Sequence, residues 1–271
     1  MSLEKKEKEL ENLLKDLESA VIAFSGGVDS TYLLYKAQQA LGDNVIAVTA
    51  VSETYQDCEK ENAQKIAQIM GVEHLIIQTS QLSCPEFICN PPQRCYHCKK
   101  ELFVRLKEIA KTRCFAWVCE GANDDDTSDF RPGLTAGKEM GVRSPLMEVK
   151  LGKDEIRQLS QKAGLSTWDM PSAACLSSRI PYGEVITPEK LRVIATAESF
   201  LKTLGQKVVR VRHHGTTAHI EVAPGEMQAL LERKEEIVKY LKNLGFIYIT
   251  LDMEGFRSGS MNETLKPEEK F

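Results

Sequence analysis

The sequence predicts an α/β protein built on a doubly wound parallel sheet, with a smaller α/β domain at the C-terminal end. Short apolar strands alternate with amphipathic helical patterns through the first half of the chain. Two adjacent glycines separate the first strand from the helix that follows it, and a Ser-, Pro- and Gly-rich loop precedes a second set of strands and helices. Strands joined by helices lie parallel in one sheet, with helices on both faces.

The first region should contain four strands, each a run of apolar and β-branched residues: 21–24, 45–49, 74–78 and 116–119. Apolar residues at helical spacing predict the helices between and around them, at 1–15, 31–41, 58–70, 101–110 and 153–163. Ligands of such sheets bind beyond the carboxyl ends of the strands. The candidate binding residues are therefore expected at those ends.

The composition changes between residues 166 and 187, where Ser, Pro, Gly and Ala dominate. We predict a first domain at 1–165, a connecting loop with Cys175 at 166–187, and a smaller domain at 188–271. In the smaller domain we expect helices at 188–204 and 225–244, and strands at 208–212, 218–222 and 247–251. The first two of those strands should pair through residues 213–217. Long loops in compact proteins are often functional.

Composition narrows the class of protein. The chain has 271 residues, of which 42% are hydrophobic and 27% charged, as in soluble globular proteins. No apolar run approaches the ~20 residues of a membrane span, and the first 15 residues read as an amphipathic helix rather than a signal peptide. The net charge of −4 argues against a broad nucleic-acid surface. Eight cysteines without an export signal predict a cytoplasmic protein whose cysteines bind metal or do chemistry.

The turn after the first strand reads Ser25-Gly26-Gly27-Val28-Asp29-Ser30. Glycines let a ligand approach the backbone, and the N-terminus of a helix favours negative charge. Ser25 and Ser30 add hydroxyl donors, so the turn suits a phosphate. Asp29 would repel a bare phosphate, which indicates a bound Mg²⁺ or a role in orienting the loop.

The spacing of this turn differs from the mononucleotide P-loop and from the dinucleotide-binding fingerprint. It resembles the PP-loop, Ser-Gly-Gly-x-Asp-Ser, of the N-type ATP pyrophosphatases. The resemblance implies an enzyme that cleaves ATP between the α- and β-phosphates and adenylates a carbonyl-type oxygen.

Other polar residues follow the neighbouring strands. Ser52 would lie beside the adenine and ribose, and Gly121 and Asn123 would close the nucleotide site. Arg131, within Asp129-Phe-Arg-Pro-Gly133, is a candidate contact for substrate or pyrophosphate.

Cys95-Tyr-His-Cys98 is the second strong signal, because two thiolates at this spacing, on a turn, bind one metal ion or iron–sulfur cluster. The spacing permits a zinc site formed by Cys84, Cys89, Cys95 and Cys98. It also permits a three-thiolate cluster that uses Cys175. The remaining cysteines are predicted as small core residues: Cys58, Cys114 and Cys119.

Five motifs, in order along nearly the whole chain, resemble the LarE family: the Ser25–Ser30 loop, 129–133, 174–183, 209–212 and 255–259. These are ATP-dependent sulfur transferases that make the nickel-pincer nucleotide of lactate racemase. The resemblance implies that the enzyme adenylates each carboxylate of pyridinium-3,5-biscarboxylic acid mononucleotide, and that sulfur then displaces AMP to give a thiocarboxylate.

The sulfur donor differs within that family. In some members a cysteine at the position of Cys175 gives up its own sulfur and becomes dehydroalanine, and such members lack the Cys-x-x-Cys pair. Members with the pair are thought to hold a 4Fe–4S cluster, which implies Cys95, Cys98 and Cys175 as ligands here. The open iron would then carry sulfide from an exogenous source and spare Cys175. A zinc site with a separate donor is the third alternative.

The resemblance also implies roles for residues of the connecting loop and of the smaller domain. Arg210 and Arg212 lie two residues apart on a predicted strand and therefore on one face of it. They would hold the substrate phosphate or line a subunit interface, together with Glu198, Glu221 and, more weakly, Arg257. Ser178 and Arg179, which follow Cys175, would position substrate or sulfur. Family members assemble into hexamers, so a homo-oligomer is expected.

Three other functions remain open from the sequence. A tRNA thiolase uses the same loop and often carries an iron–sulfur cluster, although the acidic balance of the chain counts against it. An ammonia-using synthetase of the NAD or GMP type shares the loop but does not need Cys95, Cys98 and Cys175. A nucleotide-sensing or metal-carrier module would not release pyrophosphate from ATP.

Overall fold

The structure is a computed structural model of the 271-residue chain. It describes residues 1–54, 57–128, 130–171, 174–257 and 259–266, without the side chains of residues 57, 58 and 128. Asp129 of the Arg131 motif and the side chain of Cys58 therefore lie outside the described residues.

The chain forms two compact units. The first comprises Met1–Ser80 and Gln93–Ala173, and the second comprises Gln81–Pro92 and the chain from Ala174 onward. The chain thus enters the second unit briefly before it completes the first. The division predicted at residues 165 and 187 stays a prediction.

The first unit contains α1 (Leu3–Asp16), β1 (Ala20–Ala23), α2 (Val28–Leu41), β2 (Val45–Val51), α3 (Asp57–Ile69), β3 (Glu73–Gln78), α5 (Arg94–Thr112), β4 (Trp117–Glu120), α6 (Pro132–Glu139), α7 (Pro145–Glu148) and α8 (Lys153–Lys162). Its four strands are parallel in the order β3-β2-β1-β4. The predicted α/β class and parallel sheet are confirmed.

Helices cover both faces of this sheet. On β1, Ile22 packs in a core with residues of α1, α2 and α8, whereas Val21 packs against Phe103 and Leu106 of α5. Successive side chains of a strand point to opposite faces. A strand buried on both sides reads as a continuous apolar run, which is the pattern that predicted β1.

The structure differs from the sequence prediction at three places in the first unit. Helix α5 begins at Arg94 and not at residue 101, so that the cysteine pair lies in the helix. Helix α6 begins at Pro132, the residue type best suited to a first helical turn. The sequence Arg-Ser-Pro-Leu at 143–146 predicts a short extended segment, but in the structure it forms one bridge from Arg143 to Cys119 and then turns into the short helix α7.

The second unit contains α4 (Pro85–Ile88), α9 (Pro188–Thr203), β5 (Val209–His214), β6 (Thr217–Val222), α10 (Met227–Glu232), α11 (Lys234–Asn243) and β7 (Tyr248–Leu251). Strands β5 and β6 form the predicted antiparallel hairpin, and β7 lies parallel to β6. The single helix predicted at 225–244 is divided at Arg233, which separates α10 from α11.

Every described helix is too short or too polar to serve as a membrane span.

Candidate active site

The glycine-containing turn between β1 and α2 leaves its backbone open to a ligand. Gly26 has φ +73°, and a Cβ there would lie 3.1 Å from the Cα of Ala63 in α3, so the turn requires glycine at this position. Gly27 is the N-cap of α2, and no side chain caps this end of the helix. The first N–H groups of α2 therefore retain their capacity to bind an anion.

The two serines of the turn are bound to each other. Their hydroxyl oxygens lie 3.0 Å apart, and the Ser25 hydroxyl also accepts from the backbone N–H of Gly27 at 3.3 Å. The Ser30 hydroxyl accepts from the backbone N–H of Ser25 at 3.3 Å. These contacts are long for hydrogen bonds, so a phosphate oxygen can replace them at low cost.

Asp29 is the charged group of this turn. Its Oδ2 accepts a hydrogen bond from Nζ of Lys153 at 2.5 Å, and its buried Oδ1 has no hydrogen-bond partner among the described residues. Burial raises the pKa of Asp29, while the neighbouring Lys153 ammonium opposes that shift. A buried carboxylate oxygen without a donor fits a divalent cation, which prefers oxygen ligands.

The carboxyl end of β4 approaches the same turn. A Cβ on Gly121 would lie 2.9 Å from the backbone nitrogen of Ser30, so these two backbones are in direct contact. Asn123 is 4% exposed, and its Oδ1 accepts from the backbone N–H of Asp125 at 3.0 Å. Arg131 lies 3.0 Å from Asp126 of the same segment.

Ser52 lies just after β2, which adjoins β1 in the sheet. Its hydroxyl lies 3.0 Å from that of Thr54. The structure thus brings the carboxyl ends of β1, β2 and β4 to one edge of the sheet, whereas the roles of the individual residues there stay predictions.

The cysteine pair lies at the start of α5. Cys95 and Cys98 are three residues apart in the helix and therefore lie on one face of it. The next residue, Lys99, donates to Oε2 of buried Glu120 at 2.6 Å and so ties this end of α5 to the carboxyl end of β4. The expectation that the pair lies on a turn is therefore wrong, although its spacing still places both thiols on one side.

The other described cysteines fall in different environments. Cys119 is buried, as predicted, and burial raises the pKa of its thiol to about 12. Cys114 is exposed at φ +59°, so its prediction as a core residue is wrong: it terminates α5 in the left-handed conformation. Cys84 and Cys89 belong to the second unit, and the Cys84 thiol donates to Glu86 at 3.3 Å.

In the second unit, Cys175 is exposed and precedes a short 3₁₀ helix, Leu176–Arg179. Arg179 is 1% exposed and binds Glu198 through Nε at 2.7 Å and Nη2 at 3.1 Å. Its Nη1 donates to the Ser178 hydroxyl at 2.7 Å and to the Cys175 carbonyl at 3.2 Å. Arg179 therefore fixes the segment that carries Cys175.

Arg210 and Arg212 lie on the same face of β5, as their spacing predicted, because Val209 and Val211 are buried. Arg212 binds both carboxylate oxygens of Glu221, at 2.5 and 3.0 Å. The Arg210 guanidinium lies 5.1 Å from the ring centre of Phe256, and burial lowers its pKa to about 10.

These side chains form an arginine cluster with more positive than negative groups: Arg179, Arg210, Arg212, Glu198 and Glu221. One excess cation favours an anion such as a phosphate. Ligand atoms of His219, Glu221 and Asp252 lie within 4.8 Å of one another, but a metal ion there would have to displace the Arg212 guanidinium from Glu221. Arg257 forms exposed ion pairs with Glu254 and Glu263, at 3.1 and 3.3 Å.

Comparisons with known proteins agree with this geometry. Residues 19–85 match the model of a family described as queuosine biosynthesis protein QueC. The chain is 40% identical to a pyridinium-3,5-bisthiocarboxylic acid mononucleotide synthase of Lactiplantibacillus plantarum, over 93% of this chain and 92% of the relative. It is 44% identical to an uncharacterized protein of Synechocystis sp., over 97% and 99%. One component of the glutamine-hydrolyzing GMP synthase of Archaeoglobus fulgidus is 27% identical over 72% of this chain and 70% of its own length.

A parallel sheet with this glycine turn at the carboxyl end of β1 defines a PP-loop ATP pyrophosphatase. Identity of 40% along nearly the whole of both chains identifies the particular family. The chain belongs to the LarE family, and it is an ATP-dependent enzyme that transfers sulfur.

Proposed function

We propose that the enzyme adenylates the carboxylates of pyridinium-3,5-biscarboxylic acid mononucleotide and converts them to thiocarboxylates, for the nickel-pincer nucleotide of lactate racemase. The observation that carries this proposal is the PP-loop turn. There Asp29 lies in the first turn of α2, and its buried Oδ1 has no hydrogen-bond partner among the described residues. The L. plantarum relative, named as the synthase of the dithio product, supplies the substrate class.

The chemistry requires activation by ATP. A carboxylate resists nucleophiles because its oxygen is a poor leaving group, and adenylation converts that leaving group to AMP. The N–H groups of the Ser25–Ser30 turn would hold the departing pyrophosphate, and Mg²⁺ at Asp29 would neutralise its charge. Ser52, Gly121, Asn123 and Arg131 would complete the nucleotide site.

The second unit would bind the mononucleotide. The arginine cluster has the charge to hold its phosphate, with Arg210 and Arg212 as the contacts. Arg179 would keep Cys175 and Ser178 in place through its buried bond to Glu198. Arg257 would contribute weakly, because its own ion pairs are exposed.

For the sulfur, we propose a 4Fe–4S cluster held by Cys95, Cys98 and Cys175. Among the described residues none of the three forms a disulfide, and the first two share one face at the start of α5, which suits adjacent ligands of one cluster. Such a cluster, with three protein ligands, would supply an open iron for sulfide. The alternative, in which Cys175 gives up its own sulfur, needs neither Cys95 nor Cys98.

The family resemblance further predicts a hexamer, and described cysteines that form no disulfide fit a reaction in the cytoplasm. A sulfide source would then be the second partner of the enzyme, beside the mononucleotide.

Replacing both Asp29 and Ser30 by alanine should abolish pyrophosphate release and thioacid formation, because the cation ligand and a hydroxyl of the turn are lost together. The assay supplies ATP, Mg²⁺, the pyridinium dicarboxylate and sulfide, and measures both products. Asp43→Ala, at an exposed carboxylate just beyond the far end of α2, is the matched control. An undiminished thioacid yield from the double variant would refute the proposed function.

Anaerobic analysis of iron and acid-labile sulfide tests the cluster. Wild type should hold about four irons per chain, Cys95→Ala should hold few or none, and Cys114→Ala, at another exposed cysteine, should match wild type. Mass spectrometry after turnover tests the donor, since loss of one sulfur and two hydrogens at Cys175 would show that this residue is consumed. Wild type without iron after anaerobic reconstitution would refute the cluster.

A further inference from the structure

A side chain of the neighbouring strand binds the peptide group that leads into the PP-loop turn. Phe24 follows the last residue of β1, and its backbone N–H donates to the carbonyl of Val48 in β2 at 2.9 Å. The carbonyl of Phe24 accepts from the hydroxyl of Thr49, also in β2, at 2.7 Å. Both residues of this second bond are buried. The chain therefore leaves the sheet at a buried carbonyl whose hydrogen bond comes from a side chain.

The same peptide group supplies the first N–H of the turn. The carbonyl of Phe24 and the N–H of Ser25 lie in one plane and point in opposite directions. The carbonyl points to Thr49, and the N–H donates to the Ser30 hydroxyl at 3.3 Å. That contact is long, so a phosphate oxygen can take the place of the hydroxyl. The bond to Thr49 thus sets the direction in which the turn presents this donor.

His74 of β3 holds the Thr49 hydroxyl in this orientation. Its Nε2 lies 2.7 Å from the hydroxyl oxygen, and its ring meets the ring of Phe24 edge to face, with the ring centres 5.7 Å apart. A hydroxyl has one hydrogen, and Thr49 donates it to the Phe24 carbonyl. The Nε2 of His74 must therefore supply the hydrogen of the second bond. The bonds run from β3 through β2 to the end of β1.

The hydroxyl of Thr49 differs from those of other buried threonines in the first unit. Three of these hydroxyls have no hydrogen-bond partner among the described residues: Thr31, Thr79 and Thr167. Thr49 makes two bonds of 2.7 Å. Valine has the same branched shape and suits a buried strand equally well. The packing of the sheet alone therefore does not explain a hydroxyl at position 49.

We propose that Thr49 is a positioning residue of the PP-loop. Held by His74, it fixes the Phe24–Ser25 peptide group so that the N–H of this group is directed at the phosphates of ATP and at the pyrophosphate that leaves. Neither Thr49 nor His74 touches the ligand. Without the hydroxyl, the buried Phe24 carbonyl is left unsatisfied, and a rotation that finds it another donor turns the N–H away from the ligand. This inference rests on the ATP step of the proposed function.

Binding of the two halves of ATP to matched variants tests this role. Thr49→Val keeps the shape of the side chain without the hydroxyl, and titration calorimetry should show about tenfold weaker binding of magnesium pyrophosphate. AMP, which lacks the β- and γ-phosphates, should bind within about twofold of wild type. Thr49→Ser keeps the hydroxyl and should bind pyrophosphate within about threefold of wild type. Thr167→Val, which removes a buried hydroxyl that bonds to no described residue, should match wild type in both titrations.

A double variant tests the part assigned to His74. His74→Phe keeps a ring beside Phe24 and removes the Nε2 donor, while Thr49 can still donate to the carbonyl. We expect it to weaken pyrophosphate binding by about two- to threefold. In the Thr49→Val background the same change should have no further effect, because the hydroxyl that His74 holds is absent. An equal further loss in the double variant would refute the link through Thr49.

The choice of ligands and variants separates positioning from a general defect. Unchanged pyrophosphate binding by Thr49→Val would overturn the inference, as would an equal loss for AMP and pyrophosphate or a loss that Thr49→Ser shares. If Thr49→Val does not fold, as judged by circular dichroism, Thr49→Ala is compared with Thr49→Ser, because these two differ only in the hydroxyl. Wild type that binds neither ATP nor pyrophosphate would refute the proposed function, whereas equal binding by wild type and Thr49→Val would refute the role of Thr49 alone.

Discussion

At the scale of one residue, the absence of a side chain at Gly121 allows the end of β4 to contact the backbone of the PP-loop turn. The sequence placed Gly121 at the nucleotide site because it follows a strand, but it gave no reason for glycine there. The structure provides one, since a Cβ would lie 2.9 Å from the nitrogen and 3.0 Å from the Cα of Ser30. Both atoms belong to the backbone at the start of α2, where the proposed phosphate donors lie.

Gly121→Ala should therefore displace the first turn of α2 and weaken the binding of MgATP. We expect a loss of about tenfold or more in affinity and of about 1–3 kcal/mol in the free energy of unfolding, the usual cost of overpacking. Calorimetry and urea denaturation measure the two quantities. Gly225→Ala is the matched control, because its Cβ would have no heavy atom within 4 Å. Equal MgATP affinity in the two variants would contradict this account.

Single residues also show where sequence reasoning ends. A local pattern was enough to identify Gly26, Asp29 and Ser30, because a turn between a strand and a helix is formed by adjacent residues of the sequence. The pairing of Asp29 with Lys153 could not, since 124 residues separate them and no periodicity links the two. Cys114 was wrongly predicted as buried because an apolar neighbourhood does not reveal a left-handed helix end.

At the scale of elements, apolar runs predicted the strands and most of the helices. The first residues of the helices were harder to predict from the sequence. Helix α5 begins at Arg94 after Gln93, which makes no side-chain capping bond. Without a Ser, Thr, Asp or Asn cap, the sequence carries no strong start signal. A Cys-x-x-Cys pair has the same spacing on a turn as in a helix, so it could not decide between them.

Strand β5 carries two histidines, the partly buried His213 and the more exposed His214, whose lowered pKa values make the stability of the second unit depend on pH. Burial lowers the pKa of His213, with help from Lys190 and against Glu184. Burial also lowers the pKa of His214, and the neighbouring His219 adds to that shift. The unfolded chain therefore binds protons more readily than the folded chain once the pH falls below about 6.5.

We expect the free energy of unfolding to be unaffected by these histidines above about pH 7 and to decrease as the pH falls below about 6.5. His213→Phe removes one titrating group and keeps an aromatic ring against Phe246, whose ring centre lies 5.3 Å away. Urea denaturation at pH 8, 6 and 5 should show a shallower decrease for this variant than for wild type. Parallel curves would mean that His213 is protonated equally in the folded and unfolded chains.

At the scale of the whole molecule, the path of the chain could not be predicted from composition. Residues 81–92 lie within the predicted first domain, yet they belong to the second unit. There the backbone N–H of Gly183 donates to the carbonyl of Asn90 at 2.9 Å, and that of Ile186 donates to Ile88 at 3.0 Å. Such pairing links segments about ninety residues apart in sequence, which no local pattern records.

Asn90 is the residue on which this attachment most depends. It is fully buried, adopts φ +53°, and donates from Nδ2 to the carbonyls of Ile180 and Pro181 at 3.1 and 2.7 Å. Asn90→Ala loses both bonds and places alanine in the left-handed region, so we expect it to lower the free energy of unfolding by about 2–4 kcal/mol. Asn90→Gly loses the bonds without that backbone strain and should be less destabilising than alanine by about 1 kcal/mol.

Two probes of urea denaturation, used together, distinguish unfolding of the second unit from unfolding of the first. Both tryptophans, Trp117 and Trp168, belong to the first unit, so their fluorescence reports on that unit, whereas far-ultraviolet circular dichroism reports on both. The loss in Asn90→Ala should therefore appear in the dichroism transition. Asn243→Ala, at an exposed residue in the last turn of α11, should stay within about 0.5 kcal/mol of wild type. If Asn90→Ala does the same, the segment 81–92 contributes little to the second unit, and its place there follows from the connections of the chain rather than from its own bonds.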